Sequence, residues 1–94
     1  MKFKKVGKNV LLAVCDTDVL GKTLHRGDVA FHIREKFYKG TKVDLEEAID
    51  KIGDCNIVNM VGRNVVQEAV KEGHVHPEAI LKIEGVPHAQ IVKI

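Results

Sequence analysis

The spacing of apolar residues changes along the chain, and each change marks a predicted element. Phe3 to Val6 and Asn9 to Cys15 favour extended chain, with Gly7-Lys8 as the break between two strands. The second segment is apolar on both faces (Val10, Leu11, Leu12, Ala13, Val14), the pattern of a strand buried inside a sheet. Asp16-Thr17-Asp18 offers capping oxygens to a short turn that Gly21 ends, with Asp16 as its cap. Thr23 to His25 predicts a short strand, and Arg26-Gly27-Asp28 a turn. Val29, Phe31 and Ile33 then alternate with Ala30, His32 and Arg34, as in a strand with one buried face. Phe37-Tyr38-Lys39-Gly40 reads as a loop or strand end.

Helical spacing begins at Leu45, with Ala48, Ile49 and Ile52 completing an apolar stripe. Asp44 is the expected N-cap, Glu47 completes a capping box, and Gly53 is the expected left-handed stop. Asn56 to Val61 predicts a strand. Gly62-Arg63-Asn64 turns into a second helix with Asn64 as cap, Gln67 at the box position, and Val65, Val66, Ala69 and Val70 facing inward until Gly73. Pro77 breaks the chain, Ile80 to Glu84 predicts a strand, and Gly85-Val86-Pro87 turns into a last strand, Ala89 to Ile94. The sum is an α+β protein: a mixed β-sheet of about five to six strands with two main helices packed on it, in a single compact domain over residues 1–94.

Composition agrees with one folded core. At 94 residues the chain is too short for two ordinary domains, and 45% apolar with 30% charged residues excludes a disordered class. No apolar run approaches the length that spans a bilayer. Met1-Lys2-Phe3-Lys4-Lys5 is basic, but the apolar stretch after it runs quickly into Asp16, unlike a secretory signal. Cys15 and Cys55 make neither a disulfide framework nor a Cys-x-x-Cys motif. These features predict a cytoplasmic protein with no membrane partner. Charge is uneven: residues 1–42 hold ten Lys and Arg against four Asp and Glu, whereas residues 43–94 hold five against nine. A basic half can steer a protein to phosphate backbones, and it can also be ordinary surface decoration.

Several clusters could carry chemistry. Gly21-Lys22-Thr23 imitates the end of a phosphate-binding loop, but Asp16 stands where the motif needs glycine and Gly27 follows too soon for its helix. His74 and His76 share a face in extended chain, which suits a metal, but a solvent-exposed pair is the stronger reading and no cofactor is expected. Cys15-Asp16 with His88 could form a nucleophile, a carboxylate and a base, yet an adjacent Asp raises a thiol's pKa. Gly62 before a helix exposes backbone N–H groups as an anion site, to which Arg63 could add a charge. Tyr38 between Lys36 and Lys39 could stack on a base, although core packing of Phe37 beside a hydrogen-bonded Tyr38 is the better reading. His88 and Gln90 share a strand face and offer hydrogen-bonding groups to a partner or to buried backbone.

The order of these pieces resembles an archaeal family of small proteins known only as domain of unknown function number 424. The residues that carry the resemblance are Cys15-Asp16, Leu20-Gly21-Lys22, Phe37-Tyr38 with Gly40, Asn56 with Ile57, Gly62, Gly73 and Gly85-Val86-Pro87-His88-Ala89-Gln90. The resemblance implies one compact domain, no established activity, and company with translation proteins.

The expected function is a non-enzymatic RNA- or ribonucleoprotein-binding accessory of translation, with RNA or ribosome-associated proteins as partners. Lys2, Lys4, Lys5, Lys22, Arg34, Lys36 and Lys39 would hold phosphates. The candidate binding residues are Cys15, Asp16, Lys22, Tyr38, Asn59, Arg63, His88 and Gln90. One alternative is a small enzyme or ligand-binding protein using a pocket of Cys15, Asp16, Asn59 and His88. Another is a protein–protein adaptor. All of these depend on whether the polar clusters meet on one face.

Overall fold

The structure, a computed structural model, describes residues 1–93. Its element order is β1 (Lys2–Val6), β2 (Asn9–Cys15), β3 (Thr23–Arg26), β4 (Val29–His32), α1 (Glu35–Tyr38), α2 (Leu45–Lys51), β5 (Ile57–Val61), α3 (Arg63–Lys71), β6 (Leu81–Ile83) and β7 (Val86–Val92). Five strands form one mixed sheet in the order β1-β2-β5-β7-β6, and β3 and β4 form a separate hairpin. Among the described residues only β2 and β5 run parallel, and α2 lies on the crossover between them. The α+β class holds, with the difference that β3–β4 stands apart from the main sheet. Residue 94, the end of the expected last strand, lies outside the described residues.

Two clusters of buried side chains explain the layering. On one face, Leu12 and Val14 of β2, Val58 and Met60 of β5, and Ala89 of β7 pack against Ala48 and Ile49 of α2 and Val65, Val66 and Ala69 of α3. On the other, Val61 and Ile83 meet Leu24 and Ile33 of the hairpin region, with Val19 beneath. Side chains alternate along a strand, so Leu11, Ala13 and Cys15 point to this second face together with Ile57, Asn59 and Val61. α1 packs over β2 there, and Ala13 is fully buried.

Local chemistry departs from the expected turns in four places. Phe37-Tyr38 lies in the single helical turn α1 rather than in a loop or strand end. Gly53 does not enter the left-handed region; it sits in a 3-10 turn over Ile52–Asp54 that extends α2. Pro87 is inside β7, and the turn before it is Glu84-Gly85, both at positive φ (51° and 77°), joining the paired residues Ile83 and Val86. Two such residues make the loop whose twist matches that of the strands it joins. The proline is tolerated because its carbonyl accepts from Gly62 N–H (2.9 Å) at the end of β5, where its missing N–H breaks no ladder. Asp44 does cap α2, accepting from Glu47 N–H at 2.8 Å.

Candidate functional site

The fourth departure builds the site. α3 is capped neither by Asn64 nor by any neighbour in sequence: the Asp16 carboxylate, reaching from the end of β2, accepts from the N–H of Asn64 (2.8 Å) and of Val65 (3.0 Å). A carboxylate at a helix N-terminus satisfies orphan donors and meets the positive end of the helix dipole. Gly62 permits it. Its φ of 125° disfavours other residues, and a Cβ there would lie 2.6 Å from Asp16 Oδ2. The anion site expected at Gly62–Asn64 is therefore already filled by the protein's own carboxylate. The expected cap by Asp16 of its own following turn is likewise corrected, because no side-chain hydrogen bond caps that turn.

Around this cap opens a cleft of about 720 Å³, lined by Cys15, Asp16, Asp18, Leu20, Tyr38, Val43 and Asn64 among others. It lies at the carboxyl ends of the parallel strands. The segment 38–44 forms one wall and is tied to the N-terminus: the Met1 ammonium donates to Thr41 O (3.0 Å), and Thr41 N–H donates to Met1 O (2.9 Å). Gly40 allows the close approach, since a Cβ would come within 2.5 Å of the Met1 carbonyl. Lys39 and Lys42 flank this wall.

Protonation states follow from burial. Burial pushes the Cys15 thiol up from its usual value; the N-terminal ammonium opposes this, and Asp16 and Asp18 add smaller upward pushes. Tyr38 is pushed up to about 12, mainly by burial and secondarily by Cys15 beside it. Both groups stay neutral near neutral pH and can only donate or accept hydrogen bonds. The Cys55 thiol, also raised by burial, donates to Lys51 O at 3.3 Å and is structural.

The expected site residues divide into four places. Cys15, Asp16 and Tyr38 meet in the cleft, and Arg63 is exposed at the start of α3 beside Asn64. Asn59 and Gln90 oppose each other directly on β5 and β7, on the second face, one register step from Val61 and His88. His88 is separate. It lies edge-on to Phe31 of the hairpin (6.1 Å between centroids), its Nε2 is buried without a partner, and burial lowers its pKa. Lys22 is exposed before β3, its backbone paired with Val19 and Ile33, and it does not line the cleft. The aromatic pair is reversed: Tyr38 is half-buried against the second cluster while Phe37 is 40% exposed, their rings 4.9 Å apart. His76 Nδ1 accepts from Glu78 N–H at 3.1 Å, capping a turn, and no metal-binding cluster exists among the described residues.

The cleft also holds Asn64, expected only as a helix cap, and Met1, Lys42 and Val43, which the sequence does not mark as site residues. No local signal marks those three; they meet because Met1 and Thr41 exchange hydrogen bonds across 40 positions, while Asp16 brings in Asn64 across 48.

Comparison with known proteins agrees with this frame. A family model described as "Protein of unknown function (DUF424)" matches residues 4–94. The chain belongs to the DUF424 family. A crystal structure of an uncharacterized conserved protein from Methanopyrus kandleri is similar to this DUF424 chain: 29% identical, covering 99% of this chain and 90% of that one, with a TM-score of 0.82. No curated protein matches the chain. Among the described residues, no helix is long and apolar enough to cross a membrane.

Proposed function

We propose that this DUF424 protein is a non-enzymatic binding module for single-stranded RNA or a ribonucleoprotein, acting in translation and holding the phosphate backbone along the edge formed by β1, α1 and the 38–44 wall. The observation that carries this reading is a gathering of unpaired positive charge. Lys2 Nζ donates to the backbone carbonyl of Lys36 (2.5 Å), which brings β1 against α1, and Lys39, Lys42 and the Met1 ammonium follow on the adjoining wall. The one ion pair among the described residues, Lys51 with Asp54 at 4.0 Å, lies elsewhere. Of the three carboxylates that line the same cleft, Asp16 and Asp44 already accept from helix N–H groups, which leaves Asp18. Unpaired ammonium groups on one edge bind phosphates by releasing the counterions condensed on a nucleic acid.

The neighbouring sheet face supports the same reading. Lys2, Ala13, Asn59 and Gln90 form one row across β1, β2, β5 and β7, so two amides lie on the same face as the lysine edge. Amide groups can hydrogen-bond the edges of unstacked bases. Catalysis is less well served: Cys15 is held as a neutral thiol, and Asn59 and His88 do not line its cleft.

The test is fluorescence anisotropy with a labelled RNA single strand of about 12 nucleotides, a length within the usual site sizes of such binders. Engagement of three or four phosphates gives a slope of about −2 to −3 in log K against log salt. No binding at about 50 mM salt, where such contacts are strongest, ends the reading.

A further inference from the structure

The cleft has a position that the lysine edge alone does not explain. Chain leaving β2 turns onto the second face, where Val19, Leu24 and Ile33 pack. Chain leaving β5, its parallel neighbour, turns onto the opposite face as α3. Where the connections of adjacent parallel strands diverge in this way, a crevice opens at their carboxyl ends, and ligands of open α/β sheets bind there. The cleft of about 720 Å³ opens at this point, within the size range of small-molecule sites.

Its lining limits the ligand. Val14, Ala48 and Val65 make an apolar floor with Leu20 on one side, while Asp18, Asn64 and the Tyr38 hydroxyl offer both donors and acceptors. Lys39, Lys42 and the Met1 ammonium supply the positive charge of the lining, and two of its three carboxylates, Asp16 and Asp44, are engaged as helix caps. A purely apolar ligand would bury these polar groups without partners, at a cost. A bare anion would leave the floor empty. A planar heterocycle with hydrogen-bonding edges, joined to a phosphate, satisfies floor, wall and rim together.

We propose that this cleft binds one nucleoside monophosphate unit, with its base over the Val14–Ala48–Val65 floor and its phosphate on Lys39 and Lys42. Two sources supply the same chemistry: a free nucleotide, or an unstacked nucleotide of an RNA strand. Only the second source rests on the RNA-binding reading. Tyr38, whose pKa of about 12 keeps it protonated, can donate its hydroxyl to a base carbonyl.

The experiment is a series of two-dimensional ¹H–¹⁵N spectra of the full chain, titrated separately with the four 5′-nucleoside monophosphates, their nucleosides and inorganic phosphate. At least one monophosphate is expected to shift the amides of Cys15, Tyr38, Val43 and Asn64 saturably, and inorganic phosphate to leave Cys15 and Asn64 unmoved. Thr41→Trp narrows the mouth at an exposed position whose recorded hydrogen bonds are backbone ones, and is expected to weaken monophosphate binding at least tenfold. Lys42→Glu, a milder surface change, is expected to weaken the monophosphate and spare the nucleoside. Shifts that are absent, or that spread over surface lysines outside the cleft, overturn the proposal even if an RNA strand binds. Cleft shifts with monophosphate but no RNA binding uphold the pocket for free nucleotide and remove the RNA reading. Competition between the monophosphate and an RNA strand upholds both.

Discussion

Asp16 shows how much one side chain can organise. Its carboxylate closes the first turn of α3, fixes the end of β2 against β5, and shapes one corner of the cleft. Asp16→Ala is expected to lower stability by about 0.5–2 kcal/mol, the range for losing an N-cap, as measured by chemical denaturation. Asp16→Asn keeps one acceptor and is expected to cost less. His88 gives a pH signature of opposite origin. Its folded pKa lies below the ordinary 6.5 because burial penalises the charged form. The unfolded chain therefore binds the proton more readily, so the contribution of His88 is full above about pH 6.5 and is lost as pH falls towards the folded value. His88→Phe is expected to flatten the fall in stability as pH drops below about 6.5 in denaturation curves. An unchanged slope would place the titration elsewhere. The sequence shows Asp16 as a capping residue but not what it caps, because an acceptor 48 positions from its donor leaves no periodic trace. It likewise shows His88 next to a proline turn, whereas the burial of Nε2 depends on Phe31 arriving from another sheet.

At the level of elements, strands and helices were legible wherever burial imposed a regular period. β2 with both faces covered, and α2 and α3 with one apolar stripe each, follow the sequence closely. The errors fall where a distant partner overrides local preference. α1 is helical as one turn lying against β2, and Phe37 and Tyr38 exchange their expected roles because that turn sends Tyr38 towards the second cluster. The β3–β4 hairpin is an element of its own because its strands form a ladder only with each other. One tie to the main sheet is the His25 N–H, which donates at 2.7 Å to Oε2 of Glu84, itself held at positive φ. Asn accepts the left-handed region more readily than Glu but is too short to reproduce that reach. Glu84→Asn is therefore expected to leave global stability near wild type while speeding amide exchange in Leu24 to Phe31. Unchanged exchange would mean that the Leu24–Ile33–Ile83 packing alone holds the hairpin.

On the scale of the whole molecule, the charge imbalance read from the sequence resolves into places. Lys2, Lys36, Lys39 and Lys42 share one edge, Lys5 lies on the opposite face of β1 from Lys2 and Lys4, and Lys22 stands apart by the hairpin. A linear count of charges could not separate these groups, since the join between β1 and the 36–42 segment is a tertiary contact. The polar clusters likewise part into a cleft group and a sheet-face group, so the two halves of the candidate site have separable roles. The most direct measurement compares RNA affinity over a range of salt for two charge-reversed double variants. One is Lys39→Glu with Lys42→Glu on the rim; the other is Lys71→Glu with Lys82→Glu, at the end of α3 and on β6. The expected result is a large loss for the rim variant, with a salt slope shallower by about 1.4 (two single-strand phosphate contacts), and little change in slope for the remote one. Equal losses and equal slopes for the two variants would contradict a defined RNA-binding edge.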